Sequence, residues 1–284
     1  MTQRIAIVTG SSSGIGYETS LSLARNGFKT YATMRNLDKA KMINEIKDKE
    51  KLPIQILELD VDYDQSVNQT IKHIIDEEKK IDVLINNAGY DLAGSLEEIS
   101  IDELKAQFET NFFGVVRVIK AVLPIMREQN YGIIVNVSSV GGKVGIPLNS
   151  AYIASKFAME GLSDSIRPEL QEFGIKVILI EPGVVRSSFF ENVKMAKKFS
   201  PDSPYSSLTQ KIFTGFTSSM GDTASSPKEV AQTILSAIID DNKEIRYVVG
   251  KDAKSILENR KNMSDKDFDG WMKESLIDQK GFVR

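Results

Sequence analysis

Tyr152 and Lys156 stand four residues apart in a run, Ser150 to Phe173, whose apolar spacing predicts a helix. A phenol and an ammonium therefore leave one helix face a single turn apart. A free phenol titrates near 10, about three units too high to exchange protons efficiently at neutral pH. A fixed cation about 4 Å away, at an effective dielectric of about 20, favours the phenolate by about 4 kcal/mol, or about three pK units. Such a pair suits acid/base work between a carbonyl and an alcohol. By itself it is also an ordinary pair on a helix surface.

A second constellation lies near the start of the chain, Thr9-Gly10-Ser11-Ser12-Ser13-Gly14-Ile15-Gly16. It joins an apolar strand, Arg4 to Val8, to a helix running to Asn26, with Leu21, Leu23 and Ala24 inward and Gly27 just past its end. Gly10 would let the chain reverse, Gly14 would let backbone approach a pyrophosphate, and Gly16 would let helix pack on strand. The free N–H groups and dipole of the helix would draw in the anion. The spacing Gly-x-x-x-Gly-x-Gly departs from the commoner Gly-x-Gly-x-x-Gly, and a lone glycine-rich turn is often only a turn.

The elements that would position these groups alternate. Strand-like runs lie at Arg4 to Val8, Lys29 to Thr33, Ile54 to Leu59, Ile81 to Ile85, Gly132 to Val137, Lys176 to Glu181 and Arg246 to Val249. Helical runs lie at Gly14 to Asn26, Asp38 to Glu50, Asp64 to Glu78, Asp102 to Glu128, Ser150 to Phe173 and Pro227 to Asp240, with Asp64, Ser100 and Ser226 as caps. This order predicts an α/β fold, a seven-stranded doubly wound parallel sheet with helices on both faces, in one domain spanning 1–284. Ser187 to Ser226 reads as an insertion over a site, and the tail 252–284 as polar and helical, with Phe268 and Trp271 docking it. Ligands of such sheets sit beyond the carboxyl ends of the strands. Gly10 to Gly16, Arg35, Asp60, Asn86 to Gly89, Ser138-Ser139 and Pro182-Gly183 follow the first six strands and would share one rim.

Composition narrows the function. The 284 residues carry 36 basic and 39 acidic groups, net -3, mixed along the chain, which argues against a nucleic-acid partner. With no cysteine and a single histidine, disulfide, thiolate and histidine-cluster metal chemistry are excluded. His73 reads as a solvated or packing residue in Asp64 to Glu78. No apolar run approaches the length of a membrane span and no signal-peptide pattern precedes the first strand, so a cytoplasmic location is expected.

Taken in order, Thr9-Gly10-x-x-x-Gly14-Ile15-Gly16, Asn86-Asn87-Ala88-Gly89, Asn111, Ser139, Tyr152-x-x-x-Lys156 and Pro182-Gly183 resemble the motif set of the short-chain dehydrogenase/reductase family, over roughly residues 4 to 250. The stretch Tyr152 to Gly161 resembles the sub-group acting on hydroxysteroids, retinoids and other lipophilic carbonyls. The resemblance implies a Rossmann fold and an oxidoreductase that moves hydride between a nicotinamide and a carbonyl or secondary alcohol. It implies that Tyr152 is the general acid or base, that Lys156 lowers its pKa and holds the nicotinamide ribose, that Ser139 orients the substrate oxygen, and that Asn111 holds a water in a proton relay. Ser139 also reads as a turn cap, and Asn111, inside a long helix ahead of Gly114, suits a local bend.

The cofactor set implied is Gly10, Ser12, Ser13, Gly14, Ile15, Gly16, Arg35, Asn36, Asp60, Val61, Asn87, Ala88, Gly89, Tyr152, Lys156, Pro182, Gly183, Val185 and Ser187. Asn86 to Gly89 read first as sheet support and second as a ribose wall, and Asp60 as an adenine contact or a turn former. An acid ending the second strand would accept the ribose 2'-OH of NAD. Met34 stands there instead, followed by Arg35, which points to NADP(H) rather than NAD(H), although Ser13 fills the position where some NADP-using relatives carry a base. The substrate pocket is expected to be apolar, walled by Gly141 to Val144, Leu148, Asn149, Val184, Val185, Phe189 and Phe190, plus the insertion beyond them, with Lys143 solvated. The long helices resemble those through which relatives form homodimers or homotetramers. Two other readings stay open: a non-catalytic NADP-binding sensor or scaffold, and the extended nucleotide-sugar branch, against which Gly10, Gly14 and Gly16 argue.

Overall fold

Apolar side chains alternate along the strands, and each parity of the alternation meets its own layer of helices. Ile5 and Ile7 of β1 (Ile5–Val8) pack with Tyr31, Val118 and Met126, whereas Ala6 and Val8 pack with Leu23, Ile85 and Ile234. The computed structural model describes residues 3–187, 193–219, 224–239, 244–278 and 280–283. Strands β1, β2 (Lys29–Met34), β3 (Ile54–Glu58), β4 (Val83–Asn86), β6 (Gly132–Val137), β7 (Ile175–Pro182) and β9 (Arg246–Val249) form one parallel sheet in the order β3-β2-β1-β4-β6-β7-β9. Ile7 pairs with Tyr31 on one side and Leu84 on the other, and Val137 with Ile180, so the strand ends that carry the motifs are level. The order reverses at β1, the switch point where an open α/β sheet binds ligands. This is the α/β Rossmann-like architecture read from the sequence.

The helices are α1 (Gly14–Arg25), α2 (Lys41–Glu50), α3 (Asp64–Glu78), α4 (Ile101–Phe108), α5 (Gly114–Glu128), α6 (Ser150–Gln171), α7 (Ser206–Ser219), α8 (Pro227–Ile239), α9 (Lys251–Asn262) and α10 (Asp265–Leu276). Ser100 opens α4 through a capping box with Glu103, and Ser226 exchanges the same pair of bonds with Glu229. Asp64 does not cap α3. Tyr63 occupies that position, and Asp64, the first helical residue, faces the Arg117 guanidinium instead. The helix expected from Asp102 to Glu128 is two helices joined by a π turn, Glu109–Phe113, with Asn111 inside it. The asparagine that suits a local bend thus sits within a π turn.

Two features lay beyond the sequence reading. Leu92–Ala93 (β5) pairs in parallel with Lys194–Met195 (β8), which ties the start of the insertion to the segment after β4. The tail folds back: Ile256 of α9, Phe268, Met272 and Leu276 of α10 and Phe282 form a core with Val140 and Val144. Trp271 packs against that cluster beside Phe268, at 5.7 Å between ring centroids. Both aromatics dock the tail, as expected. No helix among the described residues is long and apolar enough to cross a membrane.

Candidate active site

All six predicted strand-end clusters line one cavity of about 600 Å³ at the carboxyl rim of the sheet. Every residue of the expected cofactor set touches it except Gly16. Gly16 has a different job, because a Cβ there would lie 2.4 Å from the Gly10 carbonyl oxygen and 2.5 Å from the Asn87 amide nitrogen. The loop therefore closes on itself through Gly16, rather than the helix closing on the strand. Gly10 (φ +69°) and Gly14 (φ +59°) take left-handed backbone that disfavours side chains. A Cβ on Gly14 would stand 3.6 Å from the Ser187 Cβ, across the gap between this loop and the loop after β7.

The segment after β4 supports the loop, the first of its two readings. Thr9 Oγ1 accepts the backbone N–H groups of Asn87 and Ala88 at 2.9 and 3.0 Å, and Asn87 Nδ2 donates to the carbonyls of Thr9 and Gly10 at 2.8 and 3.1 Å. Asn86, buried, donates to Asn136, which donates to Ser163 of α6. Asn87, Ala88 and Gly89 also wall the cavity. Asp60 is both turn former and lining residue, since its Oδ1 accepts the Asp62 N–H at 3.1 Å.

Ser139, Tyr152, Lys156 and Asn111 converge on that wall. Ser139 accepts the Gly141 N–H at 3.0 Å as the cap of a 3-10 turn, and also hydrogen-bonds the Tyr152 phenol, an interaction that favours the phenolate. The turn-cap reading of Ser139 holds, and its hydroxyl also faces the Tyr152 phenol. Asn111, fully buried, donates to the Tyr90 carbonyl at 3.0 Å and to Ser155 Oγ at 3.3 Å, and accepts the Tyr90 N–H at 3.1 Å. Its amide is thus committed to bracing the wall.

Tyr152 and Lys156 leave the same face of α6, as the i to i+4 spacing predicts, and both line the cavity. Lys156 Nζ donates to the Val137 carbonyl at 2.8 Å and lies 5.6 Å from the centroid of the Tyr152 ring. Burial, reinforced by the Asp91 carboxylate, holds the phenol above its ordinary value, with Ser139 opposing. Burial also brings the Lys156 ammonium down to about 8, against the opposing pull of Glu160 and Asp91. Desolvation is the largest cause of both shifts, since both groups are buried in the cavity wall.

At the opposite end, Met34 is buried in a core cluster, whereas Arg35 and Asn36 are exposed and line the cavity. Asn36 Oδ1 accepts the Asp38 N–H at 2.8 Å, which turns the chain and brings Lys39 to the same lining. Lys39 was missed because its register depends on that short 3-10 turn, Leu37–Ala40. Asp62 was also missed. It lines the cavity, takes a hydrogen bond from Thr110 at 3.0 Å, and is raised by burial.

The substrate end is built differently from the sequence expectation. Leu148, Asn149, Val184 and Val185 line it, but Gly141, Gly142 and Lys143 do not, and Val144 is buried beneath the tail. Ile212 and Phe216 of the insertion line it as expected, and Ile146 together with Ile256 and Phe282 of the tail are the additions. Phe189 and Phe190 lie outside the described residues. Lys143 is exposed, as expected. Asp91 and Asp252, neither singled out by sequence, complete the lining.

These parts fit a dinucleotide. The glycine-bare α1 N-terminus at Gly14 offers N–H groups to a pyrophosphate, Arg35 and Lys39 offer cations 21 and 25 residues further on, and the Ser139–Tyr152 pair sits at the other end. Comparison with known proteins agrees. Residues 4–198 match the family model described as short chain dehydrogenase. The chain is 39% identical over 245 residues to retinol dehydrogenase 8 of Bos taurus, covering 83% of this chain and 78% of that protein. Among solved structures, a short-chain dehydrogenase from Streptomyces avermitilis superposes with a TM-score of 0.81 at 29% identity, covering 96% and 98% of the two chains. The structure described as ElxO with NADP bound gives 0.72 at 27% identity, covering 87% and 96%. This chain belongs to the short-chain dehydrogenase family, with retinol dehydrogenase among its relatives.

Proposed function

We propose that the protein is an NADP(H)-dependent oxidoreductase that reduces an apolar ketone or aldehyde, with Tyr152 as the proton donor. The observation that carries this reading is one cavity with cations at one end, Arg35 and Lys39, and a hydrogen-bonded Ser139–Tyr152 pair at the other. The bound dinucleotide would supply the hydride. The remaining work falls to this chain. Ser139 and Tyr152 would hold the carbonyl oxygen between two hydroxyls, where charge grows as the carbonyl is reduced. Tyr152, kept protonated by burial, would pass its proton to that oxygen. Lys156 is placed to hold the ribose and restore the proton, and Asn111 braces the Tyr90 turn beneath it. A protonated phenol suits reduction, and a second carboxylate beside it, Asp91, adds to that bias.

Cofactor choice rests on Met34, Arg35 and Lys39. No carboxylate ends β2 to accept a ribose 2'-OH, and Arg35 and Lys39, which line that end of the cavity, would meet a 2'-phosphate. Substrate class rests on Ile146, Leu148, Ile212, Phe216 and Phe282, a wall for an elongated apolar group. The same cavity draws on residues from Gly10 to Phe282, which supports reading the chain as one functional unit. Phe113 and Phe157, 47% and 46% exposed on the π turn and α6, support a homo-oligomer formed through those helices.

The test is reduction of a panel of retinoid, steroid and long-chain carbonyls by NADPH, in the wild type and Tyr152→Phe. Turnover that falls about 10²- to 10⁴-fold while NADPH binding persists supports the reading. Binding without turnover in the wild type would instead select a sensor or scaffold.

A further inference from the structure

The substrate end of the cavity is apolar with one conspicuous exception. Asp91 sits immediately before β5, beside Leu148, Ile146 and Phe282 in the same lining. It is held from two sides: its backbone carbonyl accepts the Lys194 N–H at 2.9 Å, and its Oδ1 accepts the Asn149 amide at 2.7 Å. Among the described residues no donor other than Asn149 reaches the carboxylate, and Oδ2 is not among the side-chain oxygens sealed inside protein without a partner. Asn149 therefore fixes one oxygen, and Oδ2 has no protein donor among the described residues on a side chain that lines the cavity.

Nothing nearby neutralises the group fully. Lys156 is close enough to favour its charge, but that ammonium is bonded to the Val137 carbonyl. Burial raises Asp91 to about 6, so it is mostly ionised at neutral pH. It also lies close enough to Tyr152 to push the phenol upward. A purely apolar ketone docked here would cover this carboxylate without giving it a donor, which is unfavourable. A substrate with a cationic donor next to its carbonyl would complete the pair through a charge-assisted hydrogen bond.

We infer that Asp91, fixed by Asn149, is a specificity-determining residue that selects carbonyl compounds bearing an amine within about two bonds of the carbonyl carbon and an apolar chain beyond it. The assignment rests on the reductase reading above. The amine meets Asp91 Oδ2, the carbonyl oxygen meets Ser139 and Tyr152, and the chain runs along Ile146, Leu148, Phe216 and Phe282.

The test compares kcat/KM with NADPH for an α-amino ketone, the α-hydroxy ketone and the unsubstituted ketone of equal chain length. The wild type should prefer the amino ketone over the unsubstituted one at least tenfold, carried mainly by KM, with the hydroxy ketone between. In Asp91→Asn, which keeps shape, and Asp91→Leu, that ratio should collapse to within threefold. A wild type without the preference, or a ratio unchanged in both variants, overturns the assignment. Calorimetry of wild-type protein with NADP+ gives a readout free of turnover: octylamine should bind at least tenfold more tightly than octanol, and equal binding counts against Asp91. Amine-selective binding with no carbonyl turned over would overturn the reductase reading and leave only the amine contact at Asp91 standing.

Discussion

The Asp252 carboxylate accepts the backbone N–H of Val184 at 2.6 Å, 68 residues away in the chain. This bond joins the first turn of α9 to the Pro182-Gly183 loop, on the cavity wall. The fit is tight, since a Cβ on Gly183 would fall 2.3 Å from the same carboxylate.

Asp252→Ala should therefore loosen that loop. It leaves a buried N–H without its charged acceptor, at a cost of about 1 to 3 kcal/mol. The expected result is a lower unfolding midpoint and a raised KM for NADPH, with Gly183→Ala behaving alike by steric means. Thermal melts and NADPH titrations check it; an unchanged KM in both variants would show that the loop is held by other means.

Arg35→Ala should weaken NADPH far more than NADH, by about tenfold or more, the worth of about one charge-assisted bond. Lys39→Ala should act in the same direction, and the double variant should bring the two cofactors close to parity. Steady-state KM values for both nucleotides decide it, and equal losses for the two would remove the argument for a 2'-phosphate site.

The pH dependence follows from the buried pair. Tyr152 is held above its ordinary value by burial, so its acid form persists through neutral pH, whereas Lys156 loses its charge as pH rises through about 8. Carbonyl reduction should be flat near neutrality and fall above about 8. Alcohol oxidation, which needs the phenol to give up its proton, should rise with pH over the same range. Rate profiles in both directions test this, and reduction that climbs beyond pH 8 would contradict it.

Glu181 supplies a stability test. Arg246 Nε lies 3.2 Å from both Glu160 and Glu181, and Arg246 also meets Asp164 at 2.6 Å. One guanidinium cannot neutralise three carboxylates. Burial first, and Glu160 second, raise Glu181 from 4.5 to about 7. A raised carboxyl binds its proton more tightly when folded, so its contribution is full below about 4.5 and is lost as pH rises through about 7. The loss is at most about 3 kcal/mol, at 1.36 kcal/mol per pK unit. Denaturant unfolding at pH 5 and pH 8 should show that Glu181→Gln loses less stability than the wild type over this interval.

The sheet was legible in the sequence because each strand is a short apolar run flanked by turn residues, and the strand-end motifs fall at its carboxyl rim by topology alone. Asn111 was legible as a bend because an amide inside a helix competes for backbone partners, which here are those of Tyr90. Three things were not legible. Asp91 looks like any polar residue after a strand until the fold sets it against Asn149, 58 residues on. Lys39 reaches the cavity only through the turn at Asn36. The Lys156 bond to the Val137 carbonyl depends on a side-chain rotamer: the i to i+4 spacing puts Tyr152 and Lys156 on one face but does not name the carbonyl that the ammonium meets.

The tail core carries one more implication. Gly215 of α7 lies against α10 so closely that a Cβ would stand 2.2 Å from the Leu276 carbonyl oxygen. The phosphate cradle is drawn from the first quarter of the chain, while these two late helices and Phe282 shape the far wall. Substitutions on the α7 and α10 faces that meet there should therefore reshape the far wall while leaving the Arg35–Lys39 end of the cavity as it is, and a chimera that exchanges only those two helices and Phe282 should keep the nucleotide preference of the parent that supplies the rest.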